Sequence, residues 1–246
     1  MLNRNLLLLF IFTISQTVFG QKIVNRNDNY IEGWTISLGT GLATSFSDVK
    51  QNIFFPVIKP KNEWRMGTNF MLAKDINQLL NIRGQAIITQ VAGVRKQNNI
   101  YFQAELAEIN LCIAADVTKL VRPYRSDDNL FISIFLGTGL TYYNSKLFDL
   151  SNNEVIAERG FGRGSGLWGR VIEGIMIGGI EVNYKINENW GIKMQSANRW
   201  MDSDSFDNRI GGFQYDFYNI TSIGLTYKFY RVFNYPEIYT RFQSKM

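Results

Sequence analysis

Eight charged residues lie in segments where apolar and polar residues alternate, and each falls on the polar side of its segment. They are Arg65, Arg83, Glu105, Glu108, Glu181, Lys193, Arg199 and Lys228. Charges of both signs inside a narrow space can form a path for protons or ions, or they can pair as salt bridges. Because an unpaired buried charge is very costly, we expect pairing and an interior without a wide pore.

The composition argues against catalysis. The chain has no histidine, the side chain most often used as a general base. A site built from carboxylates alone is left open, but no acidic pair is placed by its spacing. The single cysteine, Cys112, excludes an intrachain disulfide and a multi-cysteine metal site. We therefore expect neither enzyme activity nor a cofactor.

Two other segments carry residues that could bind something. Asp202, Asp204 and Asp207 alternate like part of a calcium loop, but the glycine and the closing glutamate of that motif are missing, so we expect solvated carboxylates and no metal. The glycine-rich stretch 160–170 lacks the Gly-Lys-Ser/Thr ending of a phosphate loop. Its Phe161 and Trp168 are candidate partner contacts, and the alternative is a flexible surface loop.

These residues are positioned by strands, because side chains alternate between two faces with a period of two. In Thr221–Phe229, the apolar face holds Ile223, Leu225, Tyr227 and Phe229, while small and polar residues occupy the other. A transmembrane β-barrel needs this pattern, with apolar residues toward lipid and polar residues toward the lumen. A soluble β-sandwich would show a polar outer face instead. We predict an all-β protein, an eight-stranded antiparallel up-and-down transmembrane β-barrel.

The alternation places the eight strands at 33–43, 63–73, 80–92, 100–117, 130–142, 171–184, 190–199 and 215–229. In the fourth strand, Phe102, Ala104 and Leu106 share the apolar face, and Ile109, Leu111, Ile113 and Ala115 then take it over, which predicts a β-bulge near Ala107. We expect short connections at 74–79, 118–129 and 185–189. Long ones are expected at 44–62, 93–99, 143–170 and 200–214.

Two parts of the chain are echoed within it. The sequence Leu-Gly-Thr-Gly-Leu occurs at 38–42 and 136–140, and segment 76–85 aligns with 186–195. The echoes indicate either two related four-strand halves or convergence on a common turn chemistry. The strand count is eight in both cases.

The N-terminus predicts secretion. Residues 1–20 have a positive start, a short apolar run and a small-residue cleavage site, which is typical of a signal peptide. A membrane anchor helix would need about 20 apolar residues. We divide the rest into an N-terminal periplasmic segment (21–32), the barrel (33–229) and a periplasmic tail (230–246). The protein is expected in the cell outer membrane, with both termini periplasmic.

The charge pattern bears on partners. Lysine and arginine are scattered among acids, so the net charge of +5 suits contact with outer-membrane lipid and gives no indication of nucleic acid binding. Tyr227 and Phe229 close the last strand and resemble the terminal signal that barrel-assembly machinery reads. A basic and aromatic tail follows, with Phe233, Tyr235 and Tyr239 as candidate contacts to other outer-membrane or periplasmic proteins.

Several motifs resemble one family. They are Ser47–Gln51 with Phe54-Phe55-Pro56, Asn62–Gly67, Ile82–Gln85, Tyr101–Leu106 with Glu108, and Asn198–Asp207. Together they look like the outer-membrane β-barrel proteins of the Bacteroidota, which are similar to the transmembrane domain of OmpA. Many relatives continue into a peptidoglycan-binding domain, for which 230–246 is too short. The resemblance implies a structural or accessory barrel, such as a subunit of a complex for secretion, assembly or nutrient uptake. The alternative is a narrow pore or a protein that transports or binds small solutes.

Overall fold

The computed structural model describes residues 32–47, 49, 63–77, 79–121, 129–162, 169–203, 206–208 and 216–231. Within them nine strands run in chain order: β1 (Glu32–Ser45), β2 (Arg65–Asp75), β3 (Leu80–Arg95), β4 (Ile100–Asp116), β5 (Leu130–Asp149), β6 (Val155–Arg159), β7 (Val171–Lys185), β8 (Trp190–Met201) and β9 (Phe217–Arg231). A short helix, α1 (Val117–Val121), follows β4. None of the helices in these ranges is long and apolar enough to cross a membrane.

Eight of the strands close into an antiparallel barrel, as the alternation predicts. Each barrel strand pairs with its neighbours in the order β1-β2-β3-β4-β5-β7-β8-β9, and β9 pairs back onto β1 from Glu32↔Arg231 to Ser45↔Tyr218. The ninth strand, β6, pairs only with the last part of β5, beyond the point where β7 leaves it. We call the end that holds Glu32 and Arg231 the termini end, and the opposite end the loop end.

The barrel exterior is an apolar belt to which all eight barrel strands contribute. Its exposed residues include Trp34, Leu38, Met66, Phe70, Leu72, Ile82, Ile88, Ile109, Leu111, Ile113, Ile132, Ile134, Leu136, Leu140, Ile172, Met176, Ile180, Ile192, Met194, Ile223, Leu225 and Phe229. Soluble monomers rarely expose a contiguous apolar surface of this size. The lipid-facing surface of a transmembrane barrel is apolar in this way.

The fourth strand differs from the sequence prediction. β4 pairs with β3 from Ile100 to Ala115 without any shift in register, so there is no bulge near Ala107. Phe102, Ala104 and Leu106 face inward and are buried, in line with Glu108. The physical reason is that this half of β4 lies toward the loop end, where the lumen is apolar and the outer face is polar. In this half of β4 the apolar residues therefore face inward and the polar residues outward, without an inserted residue.

Two connections also differ from the prediction. The expected long loop at 93–99 is a tight turn, because β3 continues to Arg95 and only the 3-10 turn Lys96–Asn98 and Asn99 separate it from β4. The expected long loop at 143–170 contains a hairpin, because β5 continues to Asp149 and β6 folds back onto it. Both strand pairs project past the apolar belt at the loop end.

The echoed turns have the same structure. In one, the Asn77 side chain accepts hydrogen bonds from the backbone N–H groups of Leu79 and Leu80, at 2.8 and 2.7 Å. In the other, Asn187 accepts them from Asn189 and Trp190, at 3.0 and 2.8 Å. An asparagine side chain that bonds to the backbone two or three residues ahead is a common way to stabilise a turn. Both echoed segments thus begin with the same asparagine-stabilised turn.

Candidate functional site

The lumen holds two separate clusters of buried charge, and the first lies toward the termini end. Arg83 donates through Nη1 to Glu181 Oε2, and Lys193 Nζ lies 4.0 Å from the same oxygen. Asn183 donates to the other oxygen of Glu181 at 2.6 Å. All three charged side chains are at most 6% exposed. One carboxylate thus holds two cations, and Arg83 also stacks on Phe135, with its guanidinium carbon 4.1 Å from the ring centroid.

The second cluster lies toward the loop end and is centred on Glu108. Arg199 Nε donates to Glu108 Oε2 at 2.7 Å, and Tyr218 donates its hydroxyl to the same atom at 2.8 Å. Asn110 donates to Oε1 at 2.5 Å. Thr141 completes the cluster through its contact with the Tyr218 hydroxyl at 3.1 Å. The ion pair is fully buried, so the low dielectric of the lumen strengthens each of these bonds and penalises the loss of any partner.

Neutral polar pairs fill the space between the clusters. Gln85 donates to Gln195 at 3.2 Å, and Asn69 donates to Ser222 at 2.7 Å. Cys112 is buried and points its sulfur at Asn110, 3.4 Å away. The Gln85–Gln195 contact connects β3 to β8, and the Asn69–Ser222 contact connects β2 to β9. Side chains therefore occupy the centre of the lumen, as expected for eight strands.

An aromatic group covers the lumen at the loop end. Phe206, from the connection between β8 and β9, is fully buried, with its ring centroid 5.0 Å from Tyr143, 5.7 Å from Phe102 and 5.9 Å from Tyr218. The backbone N–H of Phe206 donates to Asp216 at 2.9 Å. We call Phe102, Tyr143, Phe206 and Tyr218 the aromatic lid. In the part of the chain that the structure describes, this lid and the Glu108 cluster close the lumen from the loop side.

Among the residues that the structure describes, none closes the lumen at the termini end, where it forms a vestibule of about 350 Å³. Its wall carries two ion pairs, Asp75 with Lys228 at 2.7 Å and Asp116 with Lys119 at 4.0 Å. Partial burial lowers the pKa of the Lys119 ammonium, and the attraction of Asp116 opposes that shift. Arg83 and Glu181 line the inner end of the vestibule. The arrangement can hold a small polar solute, but it leads only to the buried ion pairs.

Three of the eight predicted lumen charges lie outside the two buried clusters, and of these Glu105 alone faces away from the lumen. Glu105 points outward, with its side chain 52% exposed, and pairs with Arg170 at 3.5 Å. Its inward placement was wrong because β4 has no bulge. Arg65 begins β2 at the loop end, where it donates to the carbonyl of Trp64 at 3.2 Å. Lys228 lies in the vestibule wall with Asp75. The structure brings the remaining five together in the two clusters: Arg83, Glu181 and Lys193 in one, Glu108 and Arg199 in the other.

The weak calcium candidate does not form a site in the described residues. Asp207 is buried and accepts a hydrogen bond from the backbone N–H of Val49 at 2.8 Å, whereas Asp202 is exposed. Asp204 lies outside the described residues. No group of three acidic or cysteine side chains converges within those ranges. Asp207 instead joins the β8–β9 connection to the loop that follows β1.

Phe161, the one candidate partner residue among those that the structure describes, and the two candidate assembly residues lie at opposite ends of the barrel. Phe161 is 45% exposed at the loop end, with Lys146 Nζ 4.3 Å from its ring centroid. Trp168, Phe233, Tyr235 and Tyr239 lie outside the described residues. Tyr227 and Phe229 lie on the exterior at the termini end. Their ring centroids are 4.7 Å apart, and Trp190 packs against Tyr227 at 4.9 Å. These aromatics border the apolar belt, as the girdle of a membrane barrel does.

Several contacts of the site were not predicted from the sequence. Asp75 shares the inward parity of Arg65 and Ala73, so extending the alternation by one step would have added Asp75 to the predicted inward-facing charges. Tyr218 and Asn110 could have been found in the same way, since both face inward in their strands. Phe206 had no such signal, because it lies in an irregular connection among acidic and polar residues.

No protein-family model matches the sequence, and no curated protein matches it. Among solved structures, the chain is similar to Ail, the attachment invasion locus protein of Yersinia pestis, with 12% identity over 80% of this chain and 99% of that one, at a TM-score of 0.44. It is also similar to the outer membrane protein OprG of Pseudomonas aeruginosa (11%, 82% and 98%, TM-score 0.41). A third is a major outer membrane protein of Thermus thermophilus (9%, 80% and 99%, TM-score 0.42).

Proposed function

We propose that this protein is a small integral outer-membrane β-barrel with a structural or accessory role, acting as a subunit of a larger outer-membrane complex for secretion, assembly or nutrient uptake. The observation that carries the proposal is an apolar belt on all eight barrel strands around a lumen filled by buried ion pairs. In such a molecule the belt contacts lipid, and the two ends of the barrel are the surfaces that other proteins can reach. The absence of histidine from the chain supports a role without catalysis.

The proposal includes a route and an orientation. Residues 1–20 serve as a signal peptide, barrel-assembly machinery inserts the mature chain, and both termini remain periplasmic, so the loop end faces outside. Short turns at 76–79 and 186–189 support this orientation, because bacterial barrels have their short turns on the periplasmic side. The sequence motifs support membership of the Bacteroidota barrel family.

Partner binding is assigned to the loop end. The β5–β6 hairpin extends past the apolar belt and exposes Val155, Ile156 and Phe161, at 49%, 54% and 45%. Lipid does not shield apolar residues that lie beyond the belt from water, and a bound protein partner would shield them. Purification from the native membrane, followed by identification of co-eluting proteins, tests this assignment. A variant that lacks residues 150–159 should lose the co-eluting proteins. A wild-type barrel that elutes alone would contradict the assignment, as would a deletion variant that keeps the same co-eluting proteins.

A second candidate function is a narrow pore or a protein that transports or binds small solutes. The observation that favours it is the vestibule of about 350 Å³, which opens at the termini end and has polar walls.

Conductance separates the two functions. In planar bilayers the purified wild type is expected to show no steady ion current, because the Glu108 cluster and the aromatic lid close the lumen. Folded protein in the bilayer is verified by its faster migration on detergent gels before boiling, and Phe206→Ala serves as a variant with a thinned lid. Steady wild-type current would favour the pore. Recovery of the chain in the soluble fraction of cells would contradict both candidates.

Phe229 is expected to matter more for assembly than for final stability. It is 47% exposed on the lipid face, so Phe229→Ala should shift the unfolding midpoint no more than the same change at another half-exposed phenylalanine on that face. If barrel-assembly machinery reads the last strand, the outer-membrane yield should fall several-fold. Phe70→Ala is the matched control, since Phe70 is 46% exposed on β2. Equal yields of the two variants would show that recognition lies elsewhere.

A further inference from the structure

The apolar belt contains a furrow on the outer face of β3, near the termini end. Gly84 faces outward between Leu72 on β2 and Leu111 on β4, with which it pairs directly. The two leucines stand on either side of a position that has no side chain. Trp34 and Ile82 border the furrow on the side of the termini, and its volume is about 480 Å³.

The space above Gly84 is empty. A Cβ atom added there would meet only the Asn110 carbonyl oxygen, 3.8 Å away, which is an ordinary contact. The next outward residue of β3, Ala86, is also small and exposed. Ala86 lies beyond the residues that line the furrow, and since outward positions recur about every 7 Å along a strand, the two small residues give a path one residue wide that continues from the furrow along β3. Its shape suits a single hydrocarbon chain.

A cation stands at the termini side of the furrow. Lys74 is the outward residue after Leu72 on β2, and its Nζ lies 5.5 Å from the ring centroid of Trp34. The adjacent residue, Asp75, also lines the furrow, and its carboxylate forms an ion pair with Lys228 at 2.7 Å. Trp34 pairs with Phe229, one of the aromatic residues that border the apolar belt at the termini end. Lys74 therefore lies at the level where lipid headgroups meet a barrel.

We propose that this furrow binds one glycerophospholipid, with an acyl chain along Gly84 and Ala86 and the phosphate at Lys74. The inference rests on the proposed function, because it requires the belt to lie in a membrane. A lipid fits better than a second copy of the chain, since a furrow one residue wide has no room for a strand. The lysine also gives the furrow one charged end and one apolar end, which matches the chemistry of a phospholipid.

The test measures lipid retained by the folded barrel. Wild type and variants are purified in dodecyl maltoside, supplied with dioleoylphosphatidylglycerol and analysed by native mass spectrometry. Gly84→Leu should lower the bound fraction about tenfold because its side chain fills the furrow, and Lys74→Gln should lower it about threefold by removing the charge. The matched control is Gly174→Leu, which adds the same side chain on the outer face of β7, where a Cβ also meets nothing within 4 Å.

Each outcome has one meaning. Retention by Gly84→Leu equal to that of the wild type would overturn the inference, as would equal losses in Gly84→Leu and Gly174→Leu. Wild-type dimers that disappear in Gly84→Leu would show that a second copy fills the furrow. These results assume barrels that fold and insert alike, which the gel shift verifies. Failure of the wild type to reach the outer membrane would instead contradict the proposed function.

Discussion

Glu108→Ala is expected to lower the free energy of unfolding of the barrel by about 3–5 kcal/mol. The variant leaves the Arg199 guanidinium buried without its carboxylate, in a lumen where both side chains are 0% exposed. It also removes the acceptor of the Tyr218 hydroxyl and of the Asn110 amide. The measurement is urea unfolding in detergent micelles, followed by tryptophan fluorescence.

A control at an exposed carboxylate isolates the effect of burial. Asp202→Ala removes an exposed carboxylate after β8 and should change the unfolding free energy by less than about 0.5 kcal/mol. The double variant Glu108→Leu with Arg199→Met should recover part of the loss, because it leaves no uncompensated charge. A midpoint for Glu108→Ala as close to wild type as that of Asp202→Ala would refute the buried network.

The number of barrel strands and the direction of most of their side chains could be predicted from the sequence. On β1, Trp34 and Leu38 are outward and Ser37 is buried in the lumen, as the alternation requires. A period of two is a local property of the chain, so it can be read without knowing the partners of a strand. The eight-stranded barrel was predicted correctly for this reason.

The same pattern misled at the loop end. It assumes that apolar means outward, but this holds only while a strand lies in lipid. Beyond the belt, Leu106 and the lid residue Phe102 are buried inside the barrel, and Glu105 faces outward to Arg170. Nothing in the sequence of β4 marks where the lipid ends. The inversion was therefore mistaken for a bulge.

The pairing of charges across the lumen could not be predicted either. Arg83 lies on β3 and Glu181 on β7, and their meeting depends on the stagger of all the strands between them. The sequence identifies the inward parity of each residue but not its height in the barrel. Lys228 illustrates this limit, because it lies at the vestibule and pairs with Asp75 rather than with a buried glutamate.

Gly139→Val is expected to prevent the barrel from folding. Gly139 belongs to the repeated Leu-Gly-Thr-Gly-Leu sequence and pairs with Asn110 of β4. In the other copy, Gly39 pairs with Asn69 of β2. A Cβ at position 139 would lie 2.6 Å from the Asn110 Cβ and 2.9 Å from its Cα, and backbone cannot move aside as a side chain can. We expect a loss of at least about 3 kcal/mol, measured as the folded fraction on unboiled gels after refolding.

The control for this variant is Gly174→Val, on the outer face of β7. Valine favours strands over glycine by up to about 1 kcal/mol, so propensity alone would stabilise both variants. Only Gly139 has a neighbouring strand in the way, since a Cβ at Gly174 meets nothing within 4 Å. Gly174→Val should therefore refold as well as the wild type, whereas Gly139→Val should not. Equal refolding of both would mean that the repeated glycines do not make room for asparagine, and that the echo of β1 in β5 has another origin.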